Sequence, residues 1–282
     1  MDQQVMRIIR LALEEDIGSG DITTRVTVTE GLRAAGQLLS KDEGVISGIE
    51  VAGAVFREVD PRIAYQPLVA DGERVERGAI LGEVSGPARG ILTAERTALN
   101  ILQHLSGVAT LTARYVEAIQ GTRARIIDTR KTGPGLRLLE KAAVRHGGGH
   151  NHRFGLSDGV LIKDNHLAAI GGPDRIARAI AAARGQAPHT LRIEVEVTSV
   201  DELEQVLAAG ADVVLLDNMS ITALREAVER TAGRAVLEAS GGVTLEAVRA
   251  IAETGVDLIS VGALTHSAPA LDISLEVELA RD

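Results

Sequence analysis

The sequence predicts an α/β protein in which an N-terminal α+β region precedes a (β/α) barrel, and three observations support this. From residue 124 onward, about six short apolar runs of strand character alternate with segments of helix length. Two helix-to-strand joints repeat, in residues 208–216 (AAGADVVLL) and 253–261 (ETGVDLISV), where a glycine ends a helix and an aspartate begins a buried strand. No GxGxxG pattern follows the first strand, which disfavours an open dinucleotide-binding sheet.

The N-terminal region begins with residues 3–15, whose apolar side chains have helical spacing and predict an amphipathic helix. Residues 20–92 consist of short segments separated by turns, and DGERVERGAILGEVSGPARGIL looks like the turn-rich half of a hammerhead fold of the biotinyl and lipoyl carrier type. Such a carrier needs an acceptor lysine at a hairpin tip, but no lysine lies between residues 42 and 130. We therefore interpret residues 20–92 as a structural antiparallel α+β domain.

A helical stretch links the two regions. Residues 93–121 are strongly helical, with Thr93 as the expected N-cap and a break expected at Ser106-Gly107. We place the domain boundary at this break, so that residues 1–106 form the hammerhead-like domain and residues 107–266 form the barrel. The C-terminal residues 267–282 are expected to pack back on the first domain.

The barrel helices are expected at residues 136–146, 172–184, 200–209, 222–232 and 244–254. Ser199 and Glu202 have the spacing of a capping box at the start of the third of these helices.

Composition excludes several classes of protein. The chain has 282 residues, no cysteine and a net charge of −9, so it has no disulfide, no thiolate metal site and no cysteine nucleophile, and nucleic acid is disfavoured as the main partner. The N-terminus lacks the pattern of a signal peptide, and no apolar stretch approaches the roughly 18 residues that a membrane span needs. We expect a cytoplasmic protein without a membrane anchor.

Residues 128–166 form a basic segment within this acidic chain. The segment carries seven basic and four acidic side chains, and it contains three of the four lysines and four of the seven histidines. Arginine serves most cationic positions elsewhere, so the lysines kept here suggest a compact ammonium charge that binds an anion.

Polar residues and glycines stand where the predicted barrel strands end, and active sites of barrels lie at the carboxyl ends of the strands. Gly241, Gly242 and Gly262 could expose backbone N–H groups to a phosphate. Glu196 and Asp217 suit sugar hydroxyls or Mg²⁺, whereas Glu194 is interpreted as a salt-bridge partner. The cations expected to bind a carboxylate-bearing anion are Arg130, Lys131, Arg153 and Lys163.

The sequence HGGGHNH leaves two interpretations open. His146, His150 and His152 could converge on zinc, but three glycines between two of them disfavour the helix that would fix such ligands. A flexible anion-binding loop in which His152 and Arg153 act as a pair is the favoured interpretation.

These residues together resemble a known family. The stretch DTRKTGPGLRLLEKAAVRHGGGHNHRFGLSDGVLIKDNH is similar to the signature of the quinolinate phosphoribosyltransferase family. The segments EEDIGSGDITT, AERTALNILQHLSGVAT, IEVEV, LLDNM, EASGG and SVGALTHS match the same family in order, over nearly the whole chain.

The resemblance implies an open (β/α) barrel and a homodimer in which the small domain of one subunit caps the barrel of the other. Arg96 would then reach into the partner's site. The resemblance assigns quinolinate binding to Arg96, Thr129, Arg130, Lys131, His152, Arg153 and Lys163. It assigns phosphoribosyl pyrophosphate binding to Glu196, Asp217, Ser240, Gly241, Gly242, Val261, Gly262 and Ala263.

The implied reaction is phosphoribosyl transfer to quinolinate with decarboxylation, giving nicotinate mononucleotide, CO₂ and pyrophosphate in de novo NAD biosynthesis. Lys131, Glu196 and Asp217 are the expected catalytic residues. Substrate-associated Mg²⁺, held by Glu196 and Asp217, is the expected metal, and no organic cofactor is expected. Two alternatives stay open: a paralogue of the molybdenum-transport type that uses another aromatic acid, and a non-catalytic phosphosugar-binding barrel.

Overall fold

The structure, a computed structural model, describes residues 1–279, and the chain divides into two compact units. Unit 1 comprises Met1–Ala113, Thr132–Gly148 and the chain from Leu264 onward, and unit 2 comprises Arg114–Lys131 and Gly149–Ala263. Residues 280–282, the end of the predicted C-terminal segment, lie outside the described residues.

Unit 1 begins with the expected amphipathic helix. Helix α1 (Gln3–Ile17) buries Val5, Ile9 and Leu13 along one face, and the Asp2 side chain accepts a hydrogen bond from the Gln4 N–H at 2.6 Å. The other elements of unit 1 before the long helix are α2 (Ile22–Thr27), β1 (Arg33–Ser40), β2 (Gly44–Val45), α3 (Ile49–Val59), β3 (Ala64–Pro67), β4 (Arg74–Val75) and β5 (Ile80–Pro87).

The antiparallel sheet of unit 1 joins distant parts of the sequence. Its strand order is β12-β1-β5-β3, where β12 is the C-terminal strand Ile273–Leu279. Strand β12 pairs with β1 over seven residue pairs, from Ala34 opposite Leu279 to Ser40 opposite Ile273. The C-terminal segment therefore completes the sheet of the N-terminal region.

The long helix differs from its prediction. Helix α4 (Ala88–Ala118) is continuous for 31 residues, so the break predicted at Ser106-Gly107 is wrong, and Thr93 is not an N-cap. The Thr93 hydroxyl instead donates to the Asp21 carboxylate at 3.0 Å. A side chain at position 107 would collide with the Pro269 carbonyl oxygen. Glycine at this position therefore allows the backbone at Pro269 to pack directly against the helix. The glycine marks a packing contact and not a helix end.

Because α4 is continuous, no break in secondary structure coincides with the predicted boundary between residues 106 and 107. The two compact units change over within this helix, after Ala113, and residues 132–148 belong to unit 1. Those residues contain helix α5 (Arg137–His146). Among residues 1–279, none of the helices combines the length and apolar character needed to cross a bilayer.

Unit 2 is built on a parallel six-stranded sheet with the order β6-β11-β10-β9-β8-β7. Its central strand β9 is buried at four consecutive residues, as expected for a strand covered on both faces. The elements are β6 (Arg125–Ile127), β7 (Val160–Ile162), α6 (Asp164–Ile170), α7 (Arg175–Gln186), β8 (Ile193–Val197), α8 (Val200–Ala208), β9 (Val213–Asp217), α9 (Ile221–Thr231), β10 (Val236–Ser240), α10 (Val248–Ala252) and β11 (Leu258–Ser260), followed by the short helix α11 (Ala263–His266).

The sheet of unit 2 has the order of an open barrel. Strands β6 and β7 are consecutive in the chain, yet they occupy the two edges of the sheet. His150 forms a parallel bridge to Ile127 of β6, so the segment after α5 extends the sheet as a rudimentary further strand. Six parallel strands with helices between them confirm the predicted (β/α) architecture.

The predicted capping box forms only in part. Ser199 is the N-cap of α8 and its hydroxyl accepts from the Glu202 N–H at 3.3 Å. The Glu202 carboxylate accepts from the Thr198 N–H at 3.1 Å and pairs with Arg175 at 3.4 Å.

Candidate active site at the carboxyl ends of the strands

A cavity of about 210 Å³ opens in unit 2 where the parallel strands end. Two larger cavities, of about 540 and 570 Å³, contain no predicted site residue, and a third of about 410 Å³ contains His152 and Arg153 but none of the other predicted binding residues. The residues that line a cavity therefore identify the candidate site better than the volume of the cavity does. The smaller cavity brings together nine of the predicted residues: Thr129, Arg130, Lys131, His152, Arg153, Lys163, Glu196, Asp217 and Ser240.

Lys163 stands directly after strand β7, as the N-cap of α6. Its ammonium group donates to the Glu196 carboxylate at 2.5 Å. The Lys163 side chain is 45% exposed while that of Glu196 is 12% exposed, so the cation lies at the mouth and the carboxylate below it. An ammonium group has three donors, so Lys163 can bind an anion without releasing Glu196.

Arg153 is a desolvated cation in this cavity. Burial lowers the pKa of Arg153, and the nearby charge of Arg130 lowers it further. Its Nη1 donates to the Gly159 carbonyl oxygen at 3.0 Å, whereas its buried Nε has no hydrogen-bond partner within residues 1–279. Two neighbouring guanidinium groups and an unused buried donor would be stabilised by a bound carboxylate or phosphate.

The loop that carries Arg153 is anchored by Asp128, which follows strand β6 and is fully buried. The two carboxylate oxygens of Asp128 accept from the His152 N–H at 2.8 Å and from the Asn151 side-chain amide at 2.5 Å. The Asp128 N–H in turn donates to the His150 carbonyl oxygen at 3.1 Å. A buried carboxylate thus fixes the backbone of residues 150–152 beside β6.

His152 uses both ring nitrogens within the protein. Its Nδ1 accepts from the Arg153 N–H at 2.6 Å. Its Nε2 lies 3.1 Å from the Glu194 carboxylate and 3.6 Å from that of Glu238. Because Nδ1 accepts a hydrogen bond, Nε2 carries the ring proton and donates it to the carboxylates.

Glu194 and Glu238 form a buried carboxyl pair below His152. Their side chains are 9% and 2% exposed. Burial raises the pKa of Glu238 well above its ordinary range, and the charge of Glu194 raises it further. Each carboxyl group has one oxygen without a partner when both are counted as ionised, which a proton held between them would resolve.

Sequence reasoning missed Glu238, and a signal for it existed. Glu238 precedes Ser240 by two residues on β10, so the two side chains share the inward face of the strand, as Glu194 and Glu196 do on β8. Glu194, interpreted from the sequence as a salt-bridge partner, lies 3.1 Å from His152 Nε2, and with a neutral ring this contact is a hydrogen bond.

His152, Glu194 and Glu238 also converge as metal-type ligands, with candidate ligand atoms within 4.8 Å of one another, and among residues 1–279 no other group of three does so. A metal would need the lone pair of Nε2, but that nitrogen carries the proton. We interpret the group as a hydrogen-bonded network. His146, a candidate in the zinc interpretation, pairs its Nδ1 with the Ser47 hydroxyl at 2.8 Å in unit 1.

The side of the cavity predicted to bind the phosphosugar begins at Asp217, the last residue of β9. Its carboxylate accepts from the Asn218 side-chain amide at 2.8 Å. Gly241 follows β10 with φ +91°, and a side chain there would overlap Asn218. Gly242 has φ +58°, and a Cβ added there would lie 3.9 Å from the Asn218 Oδ1, an ordinary contact distance. The chain therefore needs glycine at 241 both for its backbone conformation and for the Asn218 contact.

Arg96, Val261 and Ala263 lie outside the cavity lining, whereas Lys131 belongs to it. Val261 is buried and its N–H donates to the Ile127 carbonyl oxygen at 3.0 Å, while Ala263 begins α11. Arg96 is exposed on α4 within unit 1. Lys131 is exposed at the cavity, where its backbone N–H donates to the Thr129 hydroxyl at 3.0 Å.

Comparison with known families identifies the family of this chain. Two family models match the chain: the N-terminal domain of quinolinate phosphoribosyl transferase over residues 21–106, and the C-terminal domain over residues 108–276. The chain belongs to the quinolinate phosphoribosyltransferase family.

Individual relatives agree with this assignment. The nicotinate-nucleotide pyrophosphorylase [carboxylating] of Mycobacterium leprae is 49% identical over 275 residues, which cover 95% of both proteins. The probable enzyme of the same name from Bacillus subtilis is 42% identical over 279 residues, covering 99% of this chain and 95% of the relative.

Solved structures show the same fold. The nicotinate-nucleotide pyrophosphorylase of Francisella tularensis superposes with a TM-score of 0.91 at 42% identity, covering 98% of this chain and 96% of that one. NadC of Streptococcus pyogenes has a TM-score of 0.93 at 42% identity, covering 99% and 98%. The predicted family and fold class are confirmed.

Proposed function

We propose that the protein transfers a phosphoribosyl group from phosphoribosyl pyrophosphate to quinolinate, and releases one carboxylate as CO₂ and the leaving group as pyrophosphate. The product is nicotinate mononucleotide, a precursor of NAD. The family assignment supports the reaction class, and the observation that carries the substrate is the cationic side of the cavity. The buried Nε donor of Arg153 beside Arg130 calls for an anionic acceptor, and quinolinate is a dianion.

The cavity divides the two substrates by charge. Arg130, Lys131, Arg153 and Lys163 would hold the two carboxylates of quinolinate and orient its ring nitrogen toward the sugar. Thr129 and His152 complete this side. The phosphosugar would occupy the side formed by Glu196 and Asp217, with its 5′-phosphate on the backbone of residues 240–242 and 261–263.

The reaction follows from this arrangement. The ring nitrogen attacks C1′ of the ribose as pyrophosphate departs, and the carboxylates of Glu196 and Asp217 would stabilise the oxocarbenium-like positive charge. The quaternary ring nitrogen then acts as an electron sink, so the adjacent carboxylate leaves as CO₂ and the ring carbon takes a proton. Lys131 would assist by holding the dianion, and no organic cofactor is required.

Magnesium would arrive with the pyrophosphate of the substrate. Glu196 and Asp217 are half-buried carboxylates at the same cavity, which fits an ion that prefers few carboxylates together with substrate phosphates. The ion would neutralise charge on the leaving group.

An assay of the purified protein tests the proposal. With phosphoribosyl pyrophosphate and Mg²⁺, quinolinate should give CO₂ and pyrophosphate in equal amounts, whereas nicotinate should give neither. Turnover of another aromatic acid in place of quinolinate would favour the paralogue interpretation. No pyrophosphate release with any pyridine carboxylate would favour a non-catalytic barrel.

The dimer is part of the same proposal. Arg96 is exposed on α4, and we infer that it completes the quinolinate site of a partner subunit. Mixing inactive Arg96→Ala and Lys163→Ala subunits should restore part of the activity, because hybrid dimers contain one intact site. If mixtures stay inactive although hybrid dimers form, the shared site is wrong.

The cytoplasmic location expected from the sequence stays a prediction.

A further inference from the structure

The hydrogen bonds of His152 separate two possible roles for this residue. A histidine that binds a substrate carboxylate must donate a hydrogen bond to it from a ring N–H group. In this structure Nδ1 accepts from the Arg153 N–H and Nε2 points at the buried carboxyl pair of Glu194 and Glu238. Both ring nitrogens therefore face protein groups.

The same hydrogen bonds form a continuous path to the guanidinium of Arg153. Asp128 fixes the His152 backbone, the Glu194–Glu238 pair fixes the His152 ring, and the ring fixes the Arg153 N–H. At the other end of the Arg153 side chain, its Nη1 donates to the Gly159 carbonyl oxygen. The guanidinium is thus placed beside Arg130 by contacts that all lie within unit 2.

We propose that His152 is a positioning residue, held as a neutral Nε2–H tautomer between the Arg153 N–H and the Glu194–Glu238 pair, and that this network sets the Arg153 guanidinium against a carboxylate of the substrate. The inference rests on the proposed function for the identity of that substrate. Glu238, which had no assigned role, becomes the innermost member of the network.

Conservative variants distinguish a positioning role from a cationic one. In His152→Gln, the side-chain amide can still donate to Glu194 but carries no charge, so kcat/KM should stay within about tenfold of wild type. In His152→Lys, a positive charge is introduced but the acceptor for the Arg153 N–H is lost, so kcat/KM should fall about 100-fold or more. The loss should appear in KM for quinolinate, with KM for phosphoribosyl pyrophosphate nearly unchanged.

A matched control is available two residues away. His150 is exposed and belongs to the same loop, where the structure shows it bridged to β6 through its backbone. His150→Gln should leave all kinetic constants near those of wild type. If His152→Lys retains activity while His152→Gln loses it, His152 acts as a cation and the proposal is wrong.

Glu238 is tested by a double-mutant cycle. If Glu238 acts through His152, Glu238→Ala should lower kcat/KM about tenfold in the wild-type background and have little further effect in His152→Ala. Fully additive losses in the double variant would show that Glu238 acts by another route.

The ring proton can be observed without any activity. Protein labelled with ¹⁵N-histidine should show, in a two-bond ¹H–¹⁵N correlation spectrum, one protonated and one unprotonated nitrogen for His152, with Nδ1 unprotonated. The signal is assigned from the peak missing in His152→Gln or His152→Lys. Two protonated nitrogens in the substrate-free protein would overturn the proposal. Because this measurement needs no substrate, its result is independent of whether quinolinate is the substrate.

Discussion

Strand β9 has an aspartate at each end, and the two aspartates have different surroundings. Asp212, just before the strand, accepts from the Ile193 N–H at 2.7 Å and from Arg184 at 3.0 Å. The same arrangement recurs before β11, where Asp257 accepts from the Leu237 N–H at 2.9 Å and pairs with Arg123 at 3.1 Å. At the other end, Asp217 accepts from its own neighbour Asn218 and lines the cavity.

The difference shows how one residue type serves two purposes in the same sheet. At the amino ends, each carboxylate joins neighbouring strands by accepting a backbone N–H group. Burial acts to raise the pKa of Asp212, but the Ile193 N–H and Arg184 outweigh it and hold the pKa below its ordinary value. At the carboxyl ends, the carboxylates of Glu196 and Asp217 line the cavity, where the proposed function assigns them to ligand binding.

The largest effect on activity is expected at the carboxyl end of β9. Asp217→Asn removes the charge that would face the phosphosugar under the proposed function, so kcat/KM should fall about 100-fold or more, or about 2.7 kcal/mol. The thermal unfolding midpoint should stay near that of wild type, since the Asp217 carboxylate bonds to the side-chain amide of its neighbour Asn218, and that bond can be replaced by an amide at position 217. A variant with normal kinetics would mean that Asp217 does not contact the reacting sugar.

Two glycines sharpen the comparison. Gly241→Ala places a methyl group against Asn218 at φ +91°, so the loop must shift and KM for phosphoribosyl pyrophosphate should rise at least about tenfold. Gly210, before Asp212, has φ +79° with nothing within 4 Å of an added Cβ. Gly210→Ala should therefore cost about 1 kcal/mol of stability and leave the kinetics unchanged. Equal kinetic losses in both variants would contradict a ligand role specific to Gly241.

Asp212→Ala should show the opposite pattern to the Asp217 variant. It leaves the N–H of Ile193, a residue 1% exposed, without its partner, so the free energy of unfolding should fall by about 1–3 kcal/mol. Urea unfolding measures this loss. Activity per folded molecule should be normal, and a large fall in kcat would show that the amino end also shapes the site.

The smallest expected effect concerns pH. The pKa of Glu238 is raised by burial, so the folded protein retains a proton that the unfolded chain releases. Stability from this group is present below the unfolded pKa and is lost as pH rises through the folded pKa. Glu238→Gln keeps a neutral group at every pH, so its unfolding free energy should decline less than that of wild type as the pH rises above the ordinary carboxyl pKa. Parallel curves for the two proteins would contradict a raised pKa.

Much of this site could be predicted because strand ends are visible in sequence. Buried strands appear as apolar runs, and the first polar residues after them, such as Lys163 and Asp217, must lie at one edge of a parallel sheet. Glu238 was missed because it stands inside an apolar run, although its two-residue spacing from Ser240 was a usable signal.

Other features depend on tertiary contacts that no local pattern records. Gly107 lies within the continuous helix α4 and packs closely against Pro269, which is far away in sequence. The orientation of the His152 ring depends on Glu194 and Glu238 from two other strands. Sequence identified His152 as part of the site, but the direction of its nitrogens comes from the structure alone.

The pairing of β12 with β1 sets an order of events during synthesis. Strand β1 can pair with β5 early, but it lacks its other neighbour, β12, until the ribosome has passed residue 279, by which time every strand of the parallel sheet has been made. Contacts of such long sequence separation form late and slowly, and an unpaired strand edge invites association with other chains. In the newly synthesised protein, the N-terminal sheet therefore stays prone to association with other chains for the longest time, although most of its strands are translated first.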